Sequence, residues 1–236
     1  MIDDLQHRLQ AAATLQKKNW WESYMKGVTP FRGTEMKATR KHTAAWLSEH
    51  GILDETVNRQ MAICTELMAS RYAEDKLAAL LWLAEHLLPR LEHGRDLATI
   101  AEWFDAGYIA DWNVTDWFCV KLLGPWMARG GLPMAEQLVT WTKATSLWRR
   151  RAGVVSFVPY IKKAEPFGGY VAKALEACHQ LVLGNDRFEQ TAVGWLLRDL
   201  SHVRAQDVRK FLDDHRASMS AEALRTAQAK LRLRAD

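Results

Sequence analysis

Apolar residues return every three or four positions along almost the whole chain. Leu77, Leu80, Leu81, Ala84, Leu87, Leu88 and Leu91 form one such run, which is the spacing of an amphipathic helix. Strand-like alternation is absent. The pattern predicts helices over roughly 2–16, 18–26, 35–49, 54–69, 73–91, 95–105, 114–129, 134–144, 147–164, 169–183, 187–201, 205–215 and 219–233. Gly51, Gly94, Gly107, Gly130-Gly131, Gly168-Gly169 and Gly184-Asn185 separate them, and Pro89 ends or kinks one. Thr34 reads as an N-cap before Glu35, and Ser220 as a cap or first residue of the last helix.

From about residue 54 the helices pair with a period of roughly 35–45 residues, as in HEAT-type arrays. Length and amphipathicity repeat, although no crisp motif does. Such arrays stack into a curved superhelix whose concave face is an extended binding surface. No low-complexity linker divides the chain. The expected fold is all-α, an α-α superhelix or HEAT-like-repeat solenoid, in one domain over residues 1–236.

Composition narrows the class further. Hydrophobic residues make up 48% of the chain, which excludes wholesale disorder. The net charge of +4 is too small to name a partner by itself. Its distribution says more: Met1–His42 carries Arg8, Lys17, Lys18, Lys26, Arg32, Lys37, Arg40 and Lys41 against four acids, and Trp141–Lys173 is basic apart from Glu165. A folded array with basic stretches of this kind could track a polyphosphate. Cys64, Cys119 and Cys178 sit among apolar helical residues and read as buried free thiols of a reducing compartment. No Cys-x-x-Cys pair and no His ligand spacing occurs, so neither a metal nor another cofactor is expected. The N-terminus has no apolar signal core and no run is long enough to span a bilayer. A cytoplasmic, monomeric protein without membrane contact is expected.

Candidate chemistry gathers in three segments. Trp112 and Asp116 lie one helical turn apart in Asp111-Trp-Asn-Val-Thr-Asp116, where Trp117 adds a second indole. Taken singly, Trp112 reads as core and Asp116 as a cap or a solvated acid. Arg149, Arg150 and Arg151 follow Trp148; three consecutive residues cover three directions around a helix, and Arg151 falls at the apolar boundary. An inward Arg needs a partner, an acid such as Asp116 or a phosphate. Trp195 stands between Gly194, which permits close backbone approach, and Arg198. Near the N-terminus, Trp20-Trp21-Glu-Ser-Tyr24-Met-Lys26 precedes Phe31-Arg-Gly33, Lys37, Arg40 and Lys41. Aromatics interleaved with cations suit backbone contacts on nucleic acid, or equally the stapling of two helices.

Taken together, these segments resemble the HEAT-like-repeat DNA alkylation repair enzymes, a family of alkylpurine DNA glycosylases. The matching stretches are Tyr24-Met-Lys26 with Phe31-Arg-Gly33, Trp112-Asn-Val-Thr-Asp116, Leu147-Trp-Arg-Arg-Arg-Ala152 and Ala192-Val-Gly-Trp-Leu-Leu-Arg-Asp199. They occur in family order over nearly the whole chain. The resemblance implies that Asp116, Trp112 and Trp195 line a catalytic cleft and that Arg151 contacts the DNA backbone there. Tyr24, Lys26, Arg32, Arg40, Lys41, Arg149, Arg150 and Arg198 are the other expected DNA contacts. Glu35 falls where a neutral polar residue can occur near DNA, and its charge would repel phosphate. The implied activity is release of N3- and N7-alkylated purines from duplex DNA without swinging the base out, in base excision repair. Two other readings remain open: a catalytically silent binder of DNA structures, and a protein-binding solenoid.

Overall fold

The structure, a computed structural model, describes residues 1–163 and 165–231, and these are all-α with no strand among them. The ends of the helices predicted over 147–164 and 219–233 include Ala164, Arg232 and Leu233, which lie outside the described residues. Fourteen α-helices are described: α1 (Ile2–Ala11), α2 (Leu15–Tyr24), α3 (Met36–Glu49), α4 (Val57–Met68), α5 (Ala73–Trp82), α6 (His93–Asp105), α7 (Trp112–Phe118), α8 (Gly124–Thr140), α9 (Leu147–Val155), α10 (Val158–Ile161), α11 (Tyr170–Leu181), α12 (Arg187–Leu200), α13 (Ala205–His215) and α14 (Ala221–Gln228). None is long and apolar enough to cross a membrane. The chain divides into two compact units, Met1–Val114 and Thr115 onward, and the division falls inside α7.

The N-terminal unit is built around α5, every residue of which is buried. Helices α3 and α4 pack on it, and Trp46 meets Trp82 edge to face at 5.9 Å. Both indoles are satisfied: Trp46 donates to Met1 O at 3.0 Å and Trp82 to Gln60 Oε1 at 3.1 Å. The first turn of α5 is acidic and buried, and it organises the loop before α3. Glu74 accepts from the amides of Arg32, Gly33 and Thr34, while Asp75 accepts from both ends of the Arg32 guanidinium at 2.8 Å. Gly33 has φ 101°, and a Cβ there would run into Thr14 O and Lys18. Only glycine fits that backbone. Thr34 is therefore not the cap of α3: its hydroxyl donates to Leu9 O at 2.6 Å, and Glu35 takes the N-cap position. The helix predicted to run to residue 16 stops at Ala11, because Thr14 caps α2 by accepting from Lys17 N.

In the C-terminal unit α12 packs on α9 and α14, and α8 on α9 and α11. Gly194 of α12 lies so close to α14 that a Cβ would sit 2.9 Å from Ala223 O. Ser220 caps α14 by accepting from Ala223 N at 3.1 Å. Three predicted helices are interrupted, and 147–164 among them parts at Ser156–Phe157 into α9 and α10. The 73–91 run loses α geometry at Leu83, passing through a π segment, Leu83–Leu87, into a 3-10 turn at Leu88–Arg90 that contains Pro89. The 114–129 run begins earlier, at Trp112, since Asp111 Oδ1 accepts from Val114 N at 2.8 Å. It then passes through a π segment at Cys119–Leu123 into α8, which breaks again at Gly131 (φ 67°).

Candidate active site

Asp116 and Trp117 occupy the last turn of α7, and the π segment after it brings Val120 and Lys121 onto the same side. Together with Trp195 from α12 these residues line a pocket of about 310 Å³ with almost wholly apolar walls. A π turn widens the helix by one residue and often accompanies functional sites. Here it begins three residues after the candidate acid. Asp116 and Trp195, 79 residues apart in sequence, are thus brought to one place.

Behind Asp116 stands Arg151, from α9. Its Nε donates to Asp116 Oδ1 at 2.8 Å and its Nη2 to Oδ2 at 2.9 Å, while Nη1 donates to Phe188 O at 2.7 Å and to Thr191 Oγ1 at 3.2 Å. The Arg151 side chain is 6% exposed and that of Asp116 17%. Of the two partners that an inward Arg151 could take, the chain supplies the acid. In this structure the Arg151 guanidinium is buried, with Nε, Nη1 and Nη2 engaged inside the unit. A bidentate, charge-assisted pair fixes the carboxylate in plane and direction.

Trp195 is anchored as well. Its Nε1 donates to Asp199 Oδ2 at 3.2 Å one turn along α12, and Asp199 is buried and paired with Lys162 at 3.1 Å and Arg198 at 2.8 Å. Asp199 enters the sequence reading only as the last residue of a matching stretch, and Lys121 does not enter it. The signal was available: Trp195–Asp199 and Trp117–Lys121 are both i, i+4 pairs, which face one another on a helix.

The remaining expected site residues fall into two groups. Trp112 is half-buried in the N-terminal unit, packed beside Met25, Phe31 and Ala73, with Tyr24 edge-on at 5.5 Å. Tyr24 is 54% exposed and stacks on Trp20, whose ring also carries Lys17 at 5.3 Å. Lys26 is exposed in a left-handed turn (φ 53°), Lys41 is exposed, Arg40 pairs with Glu85 at 2.8 Å, and Glu35 is paired with Lys17. In the C-terminal unit Arg149 lies over the Trp141 ring at 5.1 Å. Arg150 is turned inward to Glu189 and the carbonyls of Ala144 and Thr145, and Arg198 pairs with Asp199. Arg32, expected on DNA, is a buried partner of Asp75 stacked on Tyr72. Burial pushes the thiols of Cys64, Cys119 and Cys178 above their ordinary value. Among the described residues no three His, Cys, Asp or Glu side chains converge to hold a metal ion.

Comparison with known proteins agrees with this arrangement of helices. The family model for DNA alkylation repair enzymes matches residues 5–231. A solved structure, described as a predicted DNA alkylation repair enzyme from Enterococcus faecalis, superposes with a TM-score of 0.74 at 19% identity, covering 93% of this chain and 96% of the other. That likeness shows the fold, an α-α superhelix. No curated protein matches the chain in sequence.

Proposed function

The chain belongs to the DNA alkylation repair enzyme family, and on that premise we propose that it is a monofunctional DNA glycosylase. It hydrolyses the N-glycosidic bond of N3- and N7-alkylated purines in duplex DNA, leaving the base unflipped, as the first step of base excision repair. Membership supports a role in alkylation repair. The observation that carries the finer reading is one carboxylate, Asp116, held by Arg151 at the edge of an apolar pocket that it shares with Trp195.

Alkylation at N3 or N7 gives the purine a positive charge, so it leaves as a neutral base without a general acid. The bonding electrons depart with the base, and positive charge develops on the deoxyribose. Water then adds to C1′ and gives up a proton. The need is therefore an anion facing the sugar. A carboxylate about 4 Å from that charge contributes roughly 4 kcal/mol at an effective dielectric near 20. The guanidinium behind it, about 8 Å from the sugar, offsets about 2 kcal/mol. The pair thus stabilises the transition state by about 2 kcal/mol, roughly 30-fold in rate. That suffices for a bond already weakened by alkylation but not for an unmodified nucleotide, which gives the selectivity for cationic lesions. Trp195 offers a π face to the developing cation. Alkyl transfer to cysteine is disfavoured, because all three thiols are buried and burial pushes them up, away from the nucleophilic thiolate.

Incubating the purified protein with methylated duplex DNA and measuring free base tests the reading. Release of 7-methylguanine and 3-methyladenine above the spontaneous rate is expected. Tight DNA binding without release would make the protein a silent DNA-structure binder. No DNA binding at near-physiological salt would leave a protein-binding array.

A further inference from the structure

The pocket around Asp116 raises a question of charge supply. A nucleotide seated there brings at least one flanking phosphate, yet most of the nearby cations are used internally. Arg151 is spent on Asp116, Phe188 and Thr191; Arg150 on Glu189 and two carbonyls; Arg198 and Lys162 on Asp199. The cation that lines the pocket itself is Lys121. It is exposed, it forms no ion pair among the described residues, and its ammonium is seated over the Trp117 ring at 5.6 Å. Resting on the glycosylase reading, we propose that Lys121 is the phosphate-holding residue of this site, and that Trp117 positions it.

The placement follows from the helix. Asp116 lies in the last turn of α7 and Lys121 in the π segment that follows, and both line the one pocket, so adjacent turns present an acid and a cation to one mouth. The carboxylate then faces the sugar while the ammonium meets the backbone oxygen beside it. Seating over an indole limits the conformational freedom that a lysine would otherwise lose on binding, without neutralising its charge. Lysine holds phosphate as a point charge and needs no fixed fork geometry. That suits a group at an open rim better than the buried guanidinium behind Asp116.

The test is the salt dependence of binding to a duplex carrying a single tetrahydrofuran abasic-site analogue, followed by fluorescence anisotropy for the full-length chain. One phosphate contact contributes about 0.9 to the slope of log affinity against log salt. Between about 50 and 200 mM salt the wild-type protein should therefore lose about 3.5-fold more affinity than Lys121→Gln. Lys121→Arg should restore the slope, and Trp117→Leu should weaken binding while keeping it. An unchanged slope in Lys121→Gln would overturn the assignment. So would an equal loss of slope on an unmodified duplex, which would make Lys121 a general surface charge. Base release is scored separately on methylated DNA, so the glycosylase reading can fail while the Lys121 slope stands, and the reverse.

Discussion

Asp116 and Arg151 meet through two N–H···O bonds, and the pair makes substitutions at either position non-additive. Asp116→Asn removes the anion but leaves the guanidinium facing the sugar, so it forfeits the whole of about 4 kcal/mol, roughly a thousandfold in excision. Adding Arg151→Gln removes the opposing charge. The double variant should then excise about 30-fold faster than Asp116→Asn alone, measured in single turnover on methylated duplex. A double variant no faster than the single would mean that Arg151 does not act through charge. Arg151→Gln alone removes the bidentate partner of a part-buried acid and should lower stability by about 3 kcal/mol in urea unfolding, with little change in the salt slope of DNA binding. A slope lower by a full ion would return the phosphate role to Arg151. The sequence made Asp116, Trp195 and an inward Arg151 legible, because each stands in a segment dense in chemistry. It left the partner of Arg151 open, since 35 residues separate the two members of the pair and only tertiary packing joins them.

At the scale of elements, the site depends on how closely α12 approaches α14. A Cβ at Gly194 would meet Ala223 O at 2.9 Å and Ala223 Cα at 3.0 Å. Gly194→Ala should therefore cost about 1–3 kcal/mol of stability and shift Trp195, lowering excision further than stability alone explains. Wild-type excision at full occupancy of the fold would contradict this. A second helix pair carries a pH dependence. His179 on α11 lies against His215, the last residue of α13, with Phe211, Asp214 and Lys210 around them. Burial, and then the neighbouring His215, hold His179 below the ordinary imidazole value. The unfolded chain therefore binds its proton more readily than the folded one. The stability this contact contributes is present above a pH of about 6.5 and is lost as pH falls through the depressed folded value. His179→Gln should reduce the fall in urea midpoint between about pH 7 and pH 5; an unaltered pH profile would remove the pair from it. Helix identity was readable from the apolar period throughout. Boundaries were less so, because Thr14, Asp111 and Glu74 decide them through caps and long-range hydrogen bonds, and the two π segments leave the period of apolar residues almost unchanged.

The whole molecule combines two compact helical units with a family match that runs through both. The basic stretches seen in the sequence are less available than their count suggested: Arg32, Arg150 and Arg151 are turned to internal partners, whereas Lys26 and Lys41 remain exposed. Charge counted along a chain does not show which cations are spent on buried acids such as Asp75 and Glu189. The central claim is that one carboxylate beside Trp195 stabilises the sugar of a cationic nucleotide. The most direct test compares wild type with Asp116→Asn in single-turnover release of 7-methylguanine from duplex DNA, with affinity for the same duplex measured alongside. The account predicts affinity within a few-fold of wild type and excision lower by about a thousandfold. Equal excision by the two proteins would contradict it.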